Sequence, residues 1–212
     1  MTFYLPFGKI EIYLEKGLIV LANENTSQRI LEVSVELFSK KGYDAVGVQE
    51  IADECNLTKP ALYYHFNSKS GILEGIMEEF VEPLVEKLKI SANYNGDFEK
   101  TLQNFAYCYV SSGCNNLPLF TMMGSMQYAP PMSEFSNAFI KHCLKINEIT
   151  MSIFTNARDV LGNMNGREQQ FAVTFLGMLS FHVYSYRFME NPKMNKKEVD
   201  LIIHQFLHGV YS

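Results

Sequence analysis

The stretch from Tyr43 to Phe66, YDAVGVQEIADECNLTKPALYYHF, limits the possible fold more tightly than the rest of the chain. Val48, Ile51 and Ala52 are spaced to share one face of a short helix. Cys55-Asn56-Leu57 reads as a turn, with Asn56 the residue best suited to a left-handed backbone. Thr58 can cap a further helix through its hydroxyl, and Pro60 falls in the first turn, where a missing N–H does no harm. Leu62 and Phe66, four apart, turn inward together. Upstream, a longer helix is specified at both ends. Thr26 or Ser27 can cap it, and Ile30, Ser34, Leu37 and Phe38 recur on one face. Lys40 and Lys41 complement the dipole of its last turn, and Gly42 supplies the stop. A short helix, a tight turn and a second short helix form the helix-turn-helix layout.

The outward residues of the second short helix are Lys59, Ala61, Tyr63, Tyr64 and His65. A single aromatic at helical spacing is usually core. Three adjacent rings diverge around a helix, however, so one core face cannot absorb them all. In this layout the second helix enters the major groove of DNA. Lys59 can reach a guanine edge or a phosphate, and Ala61 can meet a thymine methyl. Tyr63, Tyr64 and His65 offer donors to phosphate oxygens, which set register without reading sequence. Lys69 adds a phosphate contact just beyond. The formal net charge is −5, so any positive surface must be local. Residues 26–70 hold five basic and six acidic side chains, so the two signs must segregate onto different faces.

From Thr26 to Ile76 the sequence resembles the tetracycline-repressor (TetR) family of bacterial transcription regulators. The segment TKPALYYHFNSK carries the most specific part of that likeness. The resemblance implies an all-α chain: an N-terminal three-helix helix-turn-helix domain followed by a helical ligand-binding and dimerisation domain. It implies a homodimer on a double-stranded DNA operator and a small-molecule effector. Lys59 and Ala61 match base-facing positions. Thr58, Tyr63, Tyr64, His65 and Lys69 match positions that touch the backbone, and Pro60 belongs to the same motif. One departure is that Val46 and Gly47 stand where many members have a Thr or Ser that caps the second helix and touches a phosphate.

The domain boundaries read as 1–24 for an N-terminal extension, 25–70 for the DNA-binding unit and 71–212 for the C-terminal domain. The extension has a strand-like or frayed character and lacks the basic start and cleavage site of a secretory signal. Two readings of it stay open. It is an arm packed on the body, or translation starts later, since codons for Glu15-Lys16-Gly17 are purine-rich and Val20 could be a GTG start. The four cysteines show no CxxC spacing and read as free thiols of a cytoplasmic protein. Two runs free of Asp, Glu, Lys and Arg, Thr101–Ser133 and Gln169–Tyr186, are broken by Gly, Pro and polar residues. They are too short or too interrupted to span a membrane.

Beyond Ile76 the pattern predicts helices over Ser70–Ser91 (kinked at Pro83), Phe98–Ser112, Leu117–Tyr128, Ser133–Leu161, Arg167–Glu190 and Lys196–Tyr211. Asn195 and Glu198 of the last stand in capping-box spacing. Phe105, Tyr107, Tyr109, Phe120, Met122, Met123, Met126 and Tyr128 form the candidate pocket wall, joined by Phe175, Met178 and His182. Methionine and aromatic side chains suit a largely apolar effector, and equally an ordinary core. The helix 167–190 is apolar nearly all round, so it should be buried on every side. Phe171, Leu179 and Val183 from it, with Val199, Ile202, Ile203, Phe206 and Val210 from the last helix, are the candidate dimer interface. His204 and His208 lack a third ligand, so no metal site is assigned. No catalytic fingerprint and no cofactor motif is present, which makes an enzyme the remote alternative. A DNA binder governed by a protein partner, without a small effector, is the other.

Overall fold

The computed structural model describes the backbone of residues 2–5, 8–15, 18–161, 166–188 and 195–209, with side chains from Thr26 onward. The chain divides into two compact units, Met1–Met77 and Glu78–Ser212. From Glu24 onward the regular structure is helical.

The first unit opens with an antiparallel meander of β1 (Thr2–Leu5), β2 (Gly8–Glu15) and β3 (Leu18–Asn23). Phe3 pairs with Ile10 and Tyr13 with Val20. The strand-like character of the extension is therefore realised. β3 runs straight into α1 (Glu24–Lys41), which begins two residues before the earlier of the caps read from the sequence. Ile30, Leu31, Val35, Leu37 and Phe38 are buried along one face of α1. Ser34 lies among them and satisfies its hydroxyl by donating to the Ile30 carbonyl at 2.7 Å. Gly42 ends the helix at φ 84°.

α2 (Val48–Glu54), α3 (Lys59–His65) and α4 (Lys69–Ile76) complete the unit. α1 packs on α2 and α4, and α2 on α3. Gly75 permits the closest approach: a Cβ there would stand 2.8 Å from the Phe66 ring and 3.0 Å from Leu31.

A π-helical turn, Met77–Val81, follows α4 and leads into α5 (Glu82–Ser91). The expected single helix with a kink at Pro83 is thus replaced by a break one turn earlier. Pro83 falls in the first turn of α5, where its missing N–H leaves nothing unpaired.

The second unit continues with α6 (Phe98–Asn115), α7 (Leu117–Met126), α8 (Glu134–Asn156), α9 (Glu168–Ser185) and α10 (Lys196–His208). A 3-10 turn, Tyr186–Phe188, extends α9. Asp97, Asn116, Ser133 and Asn195 cap their helices by accepting from backbone N–H groups, and Asn195 and Glu198 form the expected reciprocal box. α6 lies at the centre, against α5, α9 and α10. Phe105, Phe154 and Phe175 are fully buried, and Phe206 closes on the last two at ring distances of 6.2 and 5.0 Å. Among the described residues no helix is long and apolar enough to cross a membrane.

Candidate nucleic-acid interface

The first short helix of the motif, α2, has no side-chain cap. Gly47 precedes it in an extended conformation and Val46 is buried, so the Thr or Ser of the common pattern has no substitute side chain here. Asn56 takes the left-handed conformation at φ 56° and reverses the chain. Thr58 then caps α3, its hydroxyl accepting from Ala61 N–H at 3.3 Å, with Pro60 in the first turn. Leu62 is the inward anchor and is fully buried. Phe66, half-buried, closes the helix and packs toward Gly75.

The opposite side of α3 is open. Lys59 and Pro60 are exposed and Ala61 is partly so. Tyr63 and Tyr64 retain 37% and 42% of their surface. Lys59 Nζ lies 5.8 Å from the centre of the Tyr63 ring, and among the described residues no carboxylate pairs with it. Lys69, at the start of α4, holds its ammonium 4.1 Å above the Tyr43 ring. His65 is only half-exposed: its Nδ1 lies 2.9 Å from Ser27 Oγ on α1, and burial keeps its pKa below the usual imidazole range. Two other lysines of the unit are paired with carboxylates, Lys40 with Glu36 and Lys41 with Glu50. Cys55 is buried and its thiol is pushed up by desolvation, which leaves it inert.

This arrangement coincides with a known pattern. Residues 30–76 match the family of bacterial regulatory proteins named tetR. The likeness to the TetR family thus covers this N-terminal helical segment. Over 72 residues it is 33% identical to IcaR, the negative regulator of the biofilm operon in Staphylococcus aureus strain Newman, covering 32% of this chain and 39% of IcaR. The chain spans well under half the length of the curated relatives it matches. Among solved structures, the TetR-family regulator PfmR of Thermus thermophilus superposes with a TM-score of 0.72 at 25% identity, over 87% of this chain and 96% of PfmR. FadR of Bacillus subtilis, solved in complex with stearoyl-CoA, shares the fold at a TM-score of 0.70 and 14% identity, over 87% and 99% of the two chains.

The second unit brings together only some of the residues read from the sequence as a pocket wall. Phe105, Tyr109, Phe120 and Phe175 converge, with Tyr109 5.4 Å from Phe120 and Phe105 6.1 Å from Phe175. Met122, Met123 and Met126 are buried on α7, and Met178 and His182 are half-buried on α9. Tyr107 and Tyr128 stand apart from this cluster, with exposed side chains. Tyr107 sits two residues from Phe105 and so on the opposite side of α6, and Tyr128 lies past the end of α7 with 89% of its surface exposed. Ser180, missed in the sequence, shares a hydrogen bond of 2.9 Å with the buried Tyr109 hydroxyl.

Of the residues read from the sequence as a dimer interface, Leu179, Val183, Val199, Ile202 and Ile203 are buried within the chain itself, which leaves them little surface to offer a second copy. Phe171 stacks on Phe154, and Phe206 packs on Phe154 and Phe175. Val210 lies outside the described residues. The bare side of α9 is instead Val173, Phe181 and Tyr184, followed by Phe188, and Phe181 retains 71% of its surface. Leu201 is bare on α10.

Proposed function

We propose that this protein is a cytoplasmic, ligand-responsive transcriptional repressor that binds a DNA operator as a homodimer. The observation that carries the reading is the Thr58-capped α3, with Leu62 inward and Lys59, Tyr63 and Tyr64 outward. Residues 25–70 serve as the DNA-binding domain, and residues 71–212 bind the effector and dimerise. In the dimer the two copies of α3 address successive major grooves about 34–36 Å apart. Lys59 and Ala61 face bases, while Thr58, Tyr63, Tyr64, His65 and Lys69 hold the backbone. The exposed stripe Val173, Phe181, Tyr184 and Phe188 on and after α9, with Leu201, supplies the subunit contact.

The effector is small and largely apolar, as the cluster of Phe105, Tyr109, Phe120 and Phe175 supports. The stearoyl-CoA of the FadR complex makes long-chain acyl thioesters sensible first probes. Binding favours a conformation whose two recognition helices no longer match the groove spacing, through a coupling of about 1–3 kcal/mol. The test is selection of duplexes from a random-sequence pool, followed by footprinting with and without fatty acids and acyl thioesters. A near-palindromic protected site that is released by an apolar compound is the expected result. Failure to retain any duplex at low salt removes the reading.

A further inference from the structure

The contact between Ser27 and His65 joins residues 38 apart in sequence: the first turn of α1 and the last residue of α3. Local helix chemistry accounts for neither end of it. Ser27 is not the helix cap, because α1 starts at Glu24. His65 follows Tyr64, whose ring stands edge-on to it at 5.4 Å and 84°, so the imidazole is bounded on two sides.

We infer that Ser27 is a positioning residue for DNA binding: its hydroxyl holds His65 so that the far ring nitrogen, Nε2, is a fixed hydrogen-bond donor to a backbone phosphate. This inference rests on the DNA-binding reading above and deepens it. The chemistry is one of complementary roles. A neutral imidazole carries one proton, and which nitrogen holds it is set by what the other nitrogen meets. A serine hydroxyl can donate or accept. When Ser27 donates to Nδ1, the ring proton resides on Nε2, and that N–H can donate to a phosphate oxygen. In the opposite tautomer Nδ1–H donates to Ser27, and Nε2 turns a bare lone pair toward the duplex, where a phosphate would repel it. Threonine can take the serine role and alanine cannot. Without the hydroxyl the ring samples both tautomers and a wider range of orientations.

The experiment uses full-length protein and a duplex selected by the wild type from a random-sequence pool. Anisotropy titrations compare wild type, Ser27→Ala, Ser27→Thr, His65→Ala and the Ser27→Ala/His65→Ala pair. Histidine-labelled protein reports the ring nitrogens of His65 by 15N shifts. Ser27→Ala should weaken binding about 3–10-fold on selected and scrambled duplexes alike, and Ser27→Thr should retain most of the affinity. The Ser27 effect should vanish once His65 is alanine, because the two act as one unit. The wild-type complex should show a proton on Nε2 and a hydrogen-bonded, unprotonated Nδ1. Undiminished affinity of Ser27→Ala, a loss that persists in the His65→Ala background, or an Nδ1–H tautomer in the complex overturns the inference while leaving DNA binding intact. A wild type that retains no duplex takes down both.

Discussion

Gly113 on α6 faces Val183 on α9 so closely that a Cβ on the glycine would stand 2.5 Å from one valine methyl and 2.8 Å from the other. The obstacle is a branched side chain that is itself buried, so it cannot swing away. Gly113→Ala should therefore destabilise the protein by about 1–3 kcal/mol through overpacking, less the several tenths that alanine returns as a better helix former. Adding Val183→Ala should recover part of the loss by opening the space. Urea melts of the two variants decide the matter, and a Gly113→Ala protein more stable than wild type would contradict the packing.

On the proposed DNA face, Tyr64→Ala combined with Lys69→Ala should weaken binding to all sequences. It should also reduce the salt slope by about 0.9 for each phosphate that is no longer neutralised. Lys59→Ala should instead change which duplexes are preferred, at about 1–3 kcal/mol where a base edge is no longer read. Leu62→Ala acts differently again. It empties a fully buried site and should cost about 2–5 kcal/mol of stability. Binding curves over a salt series, paired with thermal melts, separate the three outcomes. Equal salt slopes for wild type and the double variant would show that the backbone contacts are misassigned.

Charge placed on the bare side of α9 should split the proposed dimer without unfolding the protomer. Phe181→Glu changes a side chain that the protomer leaves 71% exposed, so protomer stability should move by no more than about 0.5 kcal/mol, whereas Tyr184→Glu also removes the ring's contacts with Phe188 and Arg187 and should cost about 0.5–1.5 kcal/mol. Leu179→Ala, on the inner side of the same helix, should cost about 2–5 kcal/mol. Light scattering coupled to size exclusion reads the first effect and denaturant melts the second. A Phe181→Glu, Tyr184→Glu protein that stays dimeric would place the subunit contact elsewhere.

Stability should fall as pH drops below neutrality. Burial holds His65, His142 and His182 below the ordinary value of 6.5. His142 has the Glu82 carboxylate 3.1 Å from Nδ1, yet desolvation outweighs that attraction. Below about pH 6.5 the unfolded chain takes up protons that the folded imidazoles resist, so the unfolded state binds more protons and gains on the folded one. A second loss should begin near pH 4.5, where Glu82, held low chiefly by its hydrogen bond from Lys145, is protonated more readily once unfolded. Melting temperatures across pH 4–8 test the sign. A Tm that rises from pH 7 to 5.5 would rule it out.

Much of the motif was legible because its determinants act over a few residues. Gly42 and Asn56 adopt left-handed conformations, Thr58 caps α3, and Asn195 with Glu198 closes a box, all as side-chain chemistry within one turn requires. The helix α9, free of charge beyond Glu168, was a different case. With apolar residues on every face, its periodicity has no preferred direction, and the sequence alone could not say which side meets the core. Packing against α6 and α8 turned Leu179 and Val183 inward and left Phe181 and Tyr184 bare. For Tyr107 and Phe105, two residues apart on α6, helix periodicity alone sets them on opposite sides, and packing decides that the Phe105 side meets the core.

From its sequence alone this chain has its caps, its turn and the outward run Lys59–His65, because each depends on neighbours a few bonds away. The contact of Ser27 with His65 and the bare stripe on α9 depend on how distant helices are brought together. That choice is made by burying the most apolar area at once, a sum over the whole unit that no short segment contains.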